Sequence, residues 1–183
     1  MRLFIAIMLD DEMKRPVLRL QDRLRRQHVG GAYTPGENLH LTLAFIGEYG
    51  DADAVLECMG AVRFPAFRIG TEGSGSFGDS VWIGLRESRE LEALAGQLRR
   101  ALAQGGIPFD RKRFRPHITV LRRPVTEKGR ELRLSAEPAS MRVDHISLMR
   151  STRGKNGMIY TELGRIDADD RKAGGDHGER RTE

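Results

Sequence analysis

The 183 residues, 39% of them hydrophobic, are enough for one domain with a buried core. A formal net charge of +5 favours polyanionic partners, nucleic acid or phosphate esters, over acidic or neutral ones. The single cysteine, Cys58, excludes an internal disulfide and is interpreted as a small buried side chain in a reducing cytoplasm, and the apolar run from Leu3 to Leu9 is too short for a signal peptide or a membrane span.

Hydrophobic periodicity predicts helices and strands that alternate only in part. In chain order, the strands are predicted at 2–9, 38–46, 65–71, 81–85, 115–121, 140–149 and 157–166. The helices are predicted at 11–28, 51–62 and 87–106. The intervening loops include 29–37, the Gly/Ser-rich segment 72–80, a turn region at 123–138 and a hairpin turn "RGKNG" at 153–157.

Some of these strands follow one another directly, so the sequence predicts an α+β fold with largely antiparallel sheets rather than a parallel, doubly wound one. The order strand–helix–strand–helix–strand at the start roughly recurs from residue 81, which suggests a duplication into two similar lobes. Residues 1–166 are predicted to form one domain. The tail 167–183 has no periodicity and few apolar residues, so it is predicted to be disordered.

One polar pattern occurs twice inside apolar strands, as "HLTL" beginning at His40 and "HITV" beginning at His117. Side chains alternate between the faces of a strand, so His40 and Thr42 share one face, while the neighbouring leucines and Phe45 share the other. His117 and Thr119 are separated from their apolar neighbours in the same way. A lone histidine on a strand is usually structural, but the repeated threonine in a matched apolar context favours a functional pair.

Two histidines that meet in one cleft suit general acid–base catalysis, because one imidazole can accept a proton while the other donates one. Displacement at phosphorus needs both, since water loses a proton and the leaving oxygen gains one. The hydroxyls of Thr42 and Thr119 would donate hydrogen bonds to phosphate oxygens. A metal site is the competing use of two histidines, but no carboxylate or cysteine stands at ligand spacing beside either motif, so neither a metal nor another cofactor is predicted.

Basic residues surround the second motif in "DRKRFRPHITVLRR". Such a charge run is usually a solvated surface, and we expect one or two of its members to reach the cleft and hold phosphate.

The paired motifs resemble the twin HxTx signature of the 2H phosphoesterases. More closely, the chain resembles the RNA 2′,3′-cyclic phosphodiesterases, also called the 2′-5′ RNA ligase family. The resemblance covers residues 2–166, through "RLFIAI", "ENLHLTLAFIGE", "VWIGL", "FRPHITVLRR" and "YTEL" in the expected order. It implies a bilobal fold of two antiparallel sheets with outer helices, related by a pseudo-two-fold duplication, with both motifs lining the cleft between the lobes.

The resemblance also implies metal-free hydrolysis of an RNA terminal 2′,3′-cyclic phosphate to a 2′-phosphate. His40 would be the proton donor to the 3′ oxygen and His117 the proton acceptor from water, although the nearly symmetric chemistry does not order these roles by itself. The reverse reaction, joining tRNA halves through a 2′-5′ bond, would use the same groups. The implied partner is RNA with cyclic phosphate ends, tRNA fragments among the candidates, and a monomer acting without a membrane is expected.

In this family an arginine after the second motif is expected to touch phosphate, and Arg122 matches by position. Strict alternation puts Arg122 on the face opposite His117 and Arg123 on the same face, so either the strand ends or bulges just before Arg122, which we prefer, or Arg123 takes the role. An aromatic side chain is expected to stack on the terminal base. Phe77 and Trp82 are the candidates, and Trp82 is equally well interpreted as a core residue.

Two other functions stay open at this point. One keeps the fold and acts on a small cyclic nucleotide-type phosphate. The other is a non-catalytic RNA-binding protein that uses its basic surface, with binding that is sensitive to salt and indifferent to both histidines.

Overall fold

The computed structural model describes residues 1–77, 79–127, 132–155 and 157–169. Within these ranges the strands are β1 (Arg2–Met8), β2 (Gly30–Tyr33), β3 (His40–Glu48), β4 (Phe67–Phe77), β5 (Ser80–Leu85), β6 (His117–Val125), β7 (Ser140–Val143), β8 (His145–Gly154) and β9 (Gly157–Asp167). The helices are α1 (Asp11–Arg26), α2 (Ala52–Gly60) and α3 (Arg89–Gln104). Of the helices in these ranges, none combines the length and apolarity that crossing a membrane would need. All three predicted helices are confirmed, with ends that differ by a few residues.

Side-chain caps and apolar stripes explain where the long helices begin and how they pack. The carboxylate of Asp10 accepts a hydrogen bond from the Met13 amide at 2.8 Å and so caps the start of α1. The hydroxyl of Ser88 caps α3 in the same way, through the Leu91 amide at 3.2 Å. Each helix buries residues at helical spacing, which in α3 are Leu91, Leu94, Ala95, Leu98 and Leu102.

The strands described above form one nine-stranded sheet in two halves. The order is β7-β4-β5-β6-β3-β1-β8-β9, with β2 paired to β6, and every pairing between these named strands is antiparallel. The predicted α+β class and antiparallel pairing are therefore confirmed. The two predicted sheets are continuous, because β6 of one half meets β3 of the other at the single pair Leu41 and Ile118. The pseudo-two-fold duplication stays a prediction.

The main core lies between the three helices and one face of the sheet. It contains the buried faces of α1, α2 and α3 together with apolar residues of both halves, including Ile5, Leu41, Ile83 and Ile118. A smaller cluster of Phe4, Ala6 and Met149 is separate from it, and Met8, Phe45 and Tyr160 pack against this second cluster. Burying most of the apolar surface against the helices leaves the opposite face of the sheet available for polar side chains.

The predicted Gly/Ser loop at 72–80 is wrong, because β4 continues to Phe77 and pairs with β5. The register places Ser74 opposite Ile83 and Gly75 opposite Trp82, after an irregularity that begins beyond Thr71. A Cβ atom on Gly75 would lie 2.8 Å from Cζ2 of Trp82, so the indole ring occupies the space that a side chain would need. Glycine here makes room for a large aromatic neighbour, which is a use of glycine in strands that sequence patterns confuse with a turn.

Three other boundaries also differ from the prediction. Residues 30–33, which the sequence analysis predicted to be a loop, form β2, which pairs with β6. The predicted strand 140–149 is two strands, since β7 pairs with β4 in one half and β8 with β1 in the other. The turn region predicted from 123 begins later, because β6 extends to Val125.

The hairpin predicted at "RGKNG" is confirmed by the pair Gly154 and Gly157, while Asn156 lies outside the described residues. The predicted tail overlaps the fold at its start. Asp167 is the last residue of β9, and the amides of Ala168 and Asp169 donate to the carbonyls of Asp144 and Phe64. Residues 170–183 lie outside the described part of the chain, so disorder there stays a prediction.

Candidate active site

The crossing of β3 and β6 brings the two motifs together. Leu41 is opposite Ile118, and both side chains are buried in the main core, with exposures of 1% and 0%. The antiparallel register puts His40 level with Thr119 and Thr42 level with His117, on the other face of the sheet. Diagonal neighbours on one face of such a pair are about 7–8 Å apart at the backbone, so both imidazoles can reach one phosphorus atom.

Each imidazole is oriented by a main-chain carbonyl two residues earlier. Nδ1 of His40 lies 2.7 Å from the Asn38 carbonyl oxygen, and Nδ1 of His117 lies 2.7 Å from the Arg115 carbonyl oxygen. A carbonyl oxygen only accepts, so Nδ1 carries the proton in both rings. The nitrogen that can exchange a proton in both rings is therefore Nε2, which accepts a proton in the neutral ring and donates one in the charged ring.

His40 sits in an aromatic enclosure. Its ring centroid is 4.9 Å from that of Phe4 and 5.3 Å from that of Tyr160, which meets it edge-on. Nε2 lies 3.1 Å from the hydroxyl oxygen of Thr42, which donates to it when the ring is neutral. Burial lowers the pKa of His40 below its ordinary value, because desolvation disfavours the charged ring. The carbonyl contact raises this pKa, and the positive charges of Arg122 and His117 lower it further.

A β-bulge in β6 decides which arginine faces the histidines. Val81 pairs with Leu121 while Trp82 pairs with Thr119, so Val120 is an extra residue and both Val120 and Leu121 are buried. This returns residue 122 to the face of Thr119, as the preferred prediction required. The guanidinium of Arg122 lies 3.4 Å from the Ser80 hydroxyl and acts electrostatically on His40.

Arg123, the alternative, has a different environment. Its backbone is in the left-handed region at φ 49°, and its amide donates to the Asp79 carbonyl at 2.5 Å. The bulge at Val120 has already reversed the alternation on which the case for Arg123 rested, and the left-handed backbone at this position departs further from regular strand geometry.

A second bulge, in β3, overturns the predicted position of Phe45. Ile5 pairs with Ala44 and Ala6 pairs with Thr42, so Leu43 is the extra residue. Leu43 and Ala44 both pack in the main core, and Phe45 crosses to the histidine face, where it contacts the second cluster and lines a cavity. Strict alternation had assigned Phe45 to the core and Ala44 to the face of His40.

The two predicted aromatic residues form a stack beside His117. The ring of Phe77 lies 5.4 Å from that of His117 and 5.5 Å from that of Trp82. Phe77 is 46% exposed, whereas the indole nitrogen of Trp82 is buried with no hydrogen-bond partner among the described residues. Phe77 is thus open to a planar ligand, and Trp82 supports it from behind.

Two cavities flank His117 and share Phe77 and residues 113–115 as a common wall. One, of about 440 Å³, runs from Thr42 along the segment that joins α3 to β6. The other, of about 520 Å³, lies over Trp82 toward the start of α3. No group of three histidine, cysteine or carboxylate side chains that would hold a metal ion occurs in the described ranges.

Comparison with known proteins places this site in a family. The sequence model of the 2′-5′ RNA ligase superfamily matches residues 9–155, which include both motifs and most of the sheet. The chain belongs to this superfamily.

Relatives within the superfamily cover nearly the whole chain. The RNA 2′,3′-cyclic phosphodiesterase of Archaeoglobus fulgidus is 35% identical over 176 residues, covering 89% of this chain and 98% of the relative. That of Thermotoga maritima is 31% identical, covering 89% and 93%. Among solved structures, LigT of Escherichia coli complexed with 3′-AMP is 30% identical with a TM-score of 0.75, covering 91% of this chain and 96% of LigT.

Most of the site residues that the sequence analysis did not identify are residues that contact His40 or His117. Tyr160 lies 120 residues from His40 along the chain, and no local pattern marks it as a neighbour, although the motif "YTEL" contains it. The carbonyls of Asn38 and Arg115 carry no signal in the sequence, since every residue has one. Their shared position two residues before each histidine becomes recognisable only in the structure.

The surroundings of His40 predict how it titrates. In the free protein the C2 proton signal of His40, followed by NMR from pH 4 to 9, should report a pKa below the ordinary value for histidine. Arg122→Gln removes a positive charge near the ring, which favours the protonated form, so the pKa should rise. Arg123→Gln is the matched control and should move it less. An unchanged or lower pKa in Arg122→Gln would contradict the assigned position of this side chain.

Proposed function

We propose that the protein hydrolyses the terminal 2′,3′-cyclic phosphate of RNA to a 2′-phosphate, without a metal ion, by acid–base catalysis shared between His40 and His117. The observation that carries the proposal is that two imidazoles lie on one face of the sheet where β3 meets β6. In each ring a main-chain carbonyl two residues earlier binds Nδ1, so Nε2 is the nitrogen that can exchange a proton. The names of the relatives in Archaeoglobus fulgidus and Thermotoga maritima support the substrate class.

In the proposed reaction, Nε2 of His117 accepts a proton from the attacking water as its oxygen bonds to phosphorus. The bond from phosphorus to the 3′ oxygen breaks, and Nε2 of protonated His40 donates a proton to that oxygen, which leaves as a hydroxyl. The phosphate remains on the 2′ oxygen. Arg122 and the hydroxyls of Thr42 and Thr119 stabilise the negative charge on the phosphate oxygens. If a 5′-hydroxyl replaces water, the same base takes its proton as its oxygen bonds to phosphorus, and His40 again protonates the leaving 3′ oxygen, which would join the two ends through a 2′-5′ bond.

The lowered pKa of His40 has a consequence for this order of roles. Burial and the positive charges nearby favour the neutral ring of His40, whereas a proton donor must be charged. A bound phosphate is an anion beside the ring, which favours the charged form and raises the pKa. Substrate binding therefore prepares the proposed donor. His117 on the exposed side of the cleft is closer to solvent, as a base that acts on water requires.

The experiment uses an oligonucleotide with a 2′,3′-cyclic phosphate end, and ³¹P NMR identifies the product. We expect a 2′-phosphate, formed at an undiminished rate in EDTA. The pH profile should be bell-shaped, and the limb that reports His40 should lie at lower pH in kcat/KM, which reports the free enzyme, than in kcat, which reports the complex. A 3′-phosphate product would show that the 2′ oxygen leaves, and loss of activity in EDTA would contradict a metal-free mechanism. RNA binding without turnover would favour a non-catalytic role.

A further inference from the structure

We propose that the 440 Å³ cavity beside His117 binds the RNA strand leading to the terminal phosphate, so that the substrate is an oligonucleotide and not a mononucleotide. This inference rests on the proposed function and deepens it. The cavity is continuous with the reaction site, because Thr42 and His117 form part of its lining. A strand whose end lies between the histidines would therefore enter through it.

The lining combines positive charge with aromatic surface, which is the combination that holds single-stranded nucleic acid. Arg99, Lys112, Arg113 and Arg115 contribute four cations against the single carboxylate of Asp110. Phe45, Phe77 and Phe114 contribute the aromatic surface. Cations bind the phosphates of a strand, and aromatic rings accept its bases regardless of their identity.

The segment that carries these cations is fixed in place. The Asp110 amide donates to the Phe45 carbonyl at 2.8 Å, which ties the segment to β3. The guanidinium of Arg99 on α3 donates to the carbonyls of Asp110 and Lys112, at 2.7 and 2.5 Å. Arg99 is therefore committed to the protein itself. A segment held at several points binds a ligand with less loss of conformational entropy than a mobile one.

Other cations of the segment are free for a ligand. The side chains of Arg113 and Arg115 have no hydrogen bond or ion pair with any residue in the described ranges, and both residues are exposed. Lys112 has only a loose ion pair with Asp110 at 3.7 Å, and its side chain is 88% exposed. An exposed pair of this kind contributes little, so a phosphate group would displace it readily.

The negative charges that line the second cavity disfavour an RNA strand there, so the strand is assigned to the first cavity. Its lining contains the carboxylates of Glu72, Glu87 and Glu92, against the same two arginines at 113 and 115. Phosphate groups would meet three negative charges there. Lys112 lines the first cavity but not the second, and Glu87 lines the second but not the first. Substitution of each residue therefore tests one cavity alone.

The test compares an oligonucleotide and a mononucleotide, each with a 2′,3′-cyclic phosphate, in wild type and in Lys112→Gln/Arg113→Gln. The ratio of kcat/KM for the oligonucleotide to that for the mononucleotide should fall about tenfold in the variant. The slope of log(kcat/KM) for the oligonucleotide against log[salt] should become shallower by about 1.4, at about 0.7 for each lost phosphate contact on a single strand. Arg15→Gln/Arg26→Gln removes the same charge from exposed positions on α1, across the sheet from the histidines, and should keep the ratio.

A second measurement separates this inference from the proposed function. Fluorescence anisotropy of a labelled oligonucleotide with a 3′-phosphate end needs no turnover, and Lys112→Gln/Arg113→Gln should weaken its binding about tenfold relative to wild type. If the wild type turns over both substrates equally and the variant keeps the ratio, the inference is overturned while the proposed function stands. If binding weakens as expected but no cyclic phosphate is hydrolysed, the proposed function fails alone. Because Arg113 lines both cavities, the single variant Lys112→Gln is compared with Glu87→Gln, and a change of ratio in Glu87→Gln but not in Lys112→Gln would place the strand in the second cavity and overturn the inference.

Discussion

His117→Ala should reduce the kcat for a 2′,3′-cyclic phosphate oligonucleotide by about 10²–10⁴-fold, the range for loss of a positioned acid or base. The fold should survive, because the described contacts of this side chain are limited to the Arg115 carbonyl and the edge of Phe77. Single-turnover kinetics would measure the chemical step, and circular dichroism would confirm the fold.

The matched control is His145→Ala. That histidine is also on a strand and hydrogen-bonded, but its partner is the Asp144 carboxylate, with 2.6 Å between the two atoms, at the start of β8. Its loss should leave turnover within about twofold. His40→Ala should resemble His117→Ala, and the double variant should lose much less than the product of the two effects, because groups that act on one transition state are not additive. Full activity in both single variants would remove the two-histidine mechanism.

Ile118→Ala should lower the free energy of unfolding by about 2–5 kcal/mol, as measured by urea denaturation. Ile118 is fully buried opposite Leu41, at the single pair through which β3 and β6 join the two halves of the sheet. The lost methyl groups would leave a cavity under both motifs. Ile118→Val keeps most of the volume and should cost about 0.5–1.5 kcal/mol.

The same substitution should also impair catalysis beyond its effect on stability. Leu98→Ala on α3 removes a comparably buried side chain that is distant in sequence from both motifs. At a temperature where both variants are fully folded, Ile118→Ala should have the lower kcat, since the relative position of the two imidazoles depends on packing at residue 118. Equal kcat values in the two variants would show that the crossing does not set the catalytic geometry.

Period-two alternation was enough to assign the motif side chains to one face. As predicted, the four motif side chains are half-buried on the face opposite the main core, because residues 40–42 pair regularly with β1 and residues 117–119 pair regularly with β5. Alternation fails where a strand bulges, since one extra residue reverses every later side chain. Because of the bulge at Leu43, the predicted position of Phe45 was wrong. The bulge at Val120 turns Arg122, and not Arg123, toward the site.

Other features could not be predicted because their cause lies far away in the sequence. Segment 72–77 resembles a loop by composition and becomes a strand because the ring of Trp82 covers Gly75. Tyr160 reaches His40 through the pairing of β9, β8 and β1, a contact that depends on the whole topology. Local sequence patterns thus identified the two candidate histidines. The residues that surround them depend on pairings between strands that are distant in the sequence.

The main-chain carbonyls of Asn38 and Arg115 orient the two imidazole rings, so the side chains of these two residues can have other functions. The side-chain amide nitrogen of Asn38 donates to the Met158 carbonyl at 2.7 Å and so fastens the β8–β9 hairpin next to the ring of His40. At the other ring, the guanidinium of Arg115 lines both cavities. Substitution of either side chain leaves the main-chain carbonyl in place, so the surroundings of each ring can vary while the position of its proton stays the same.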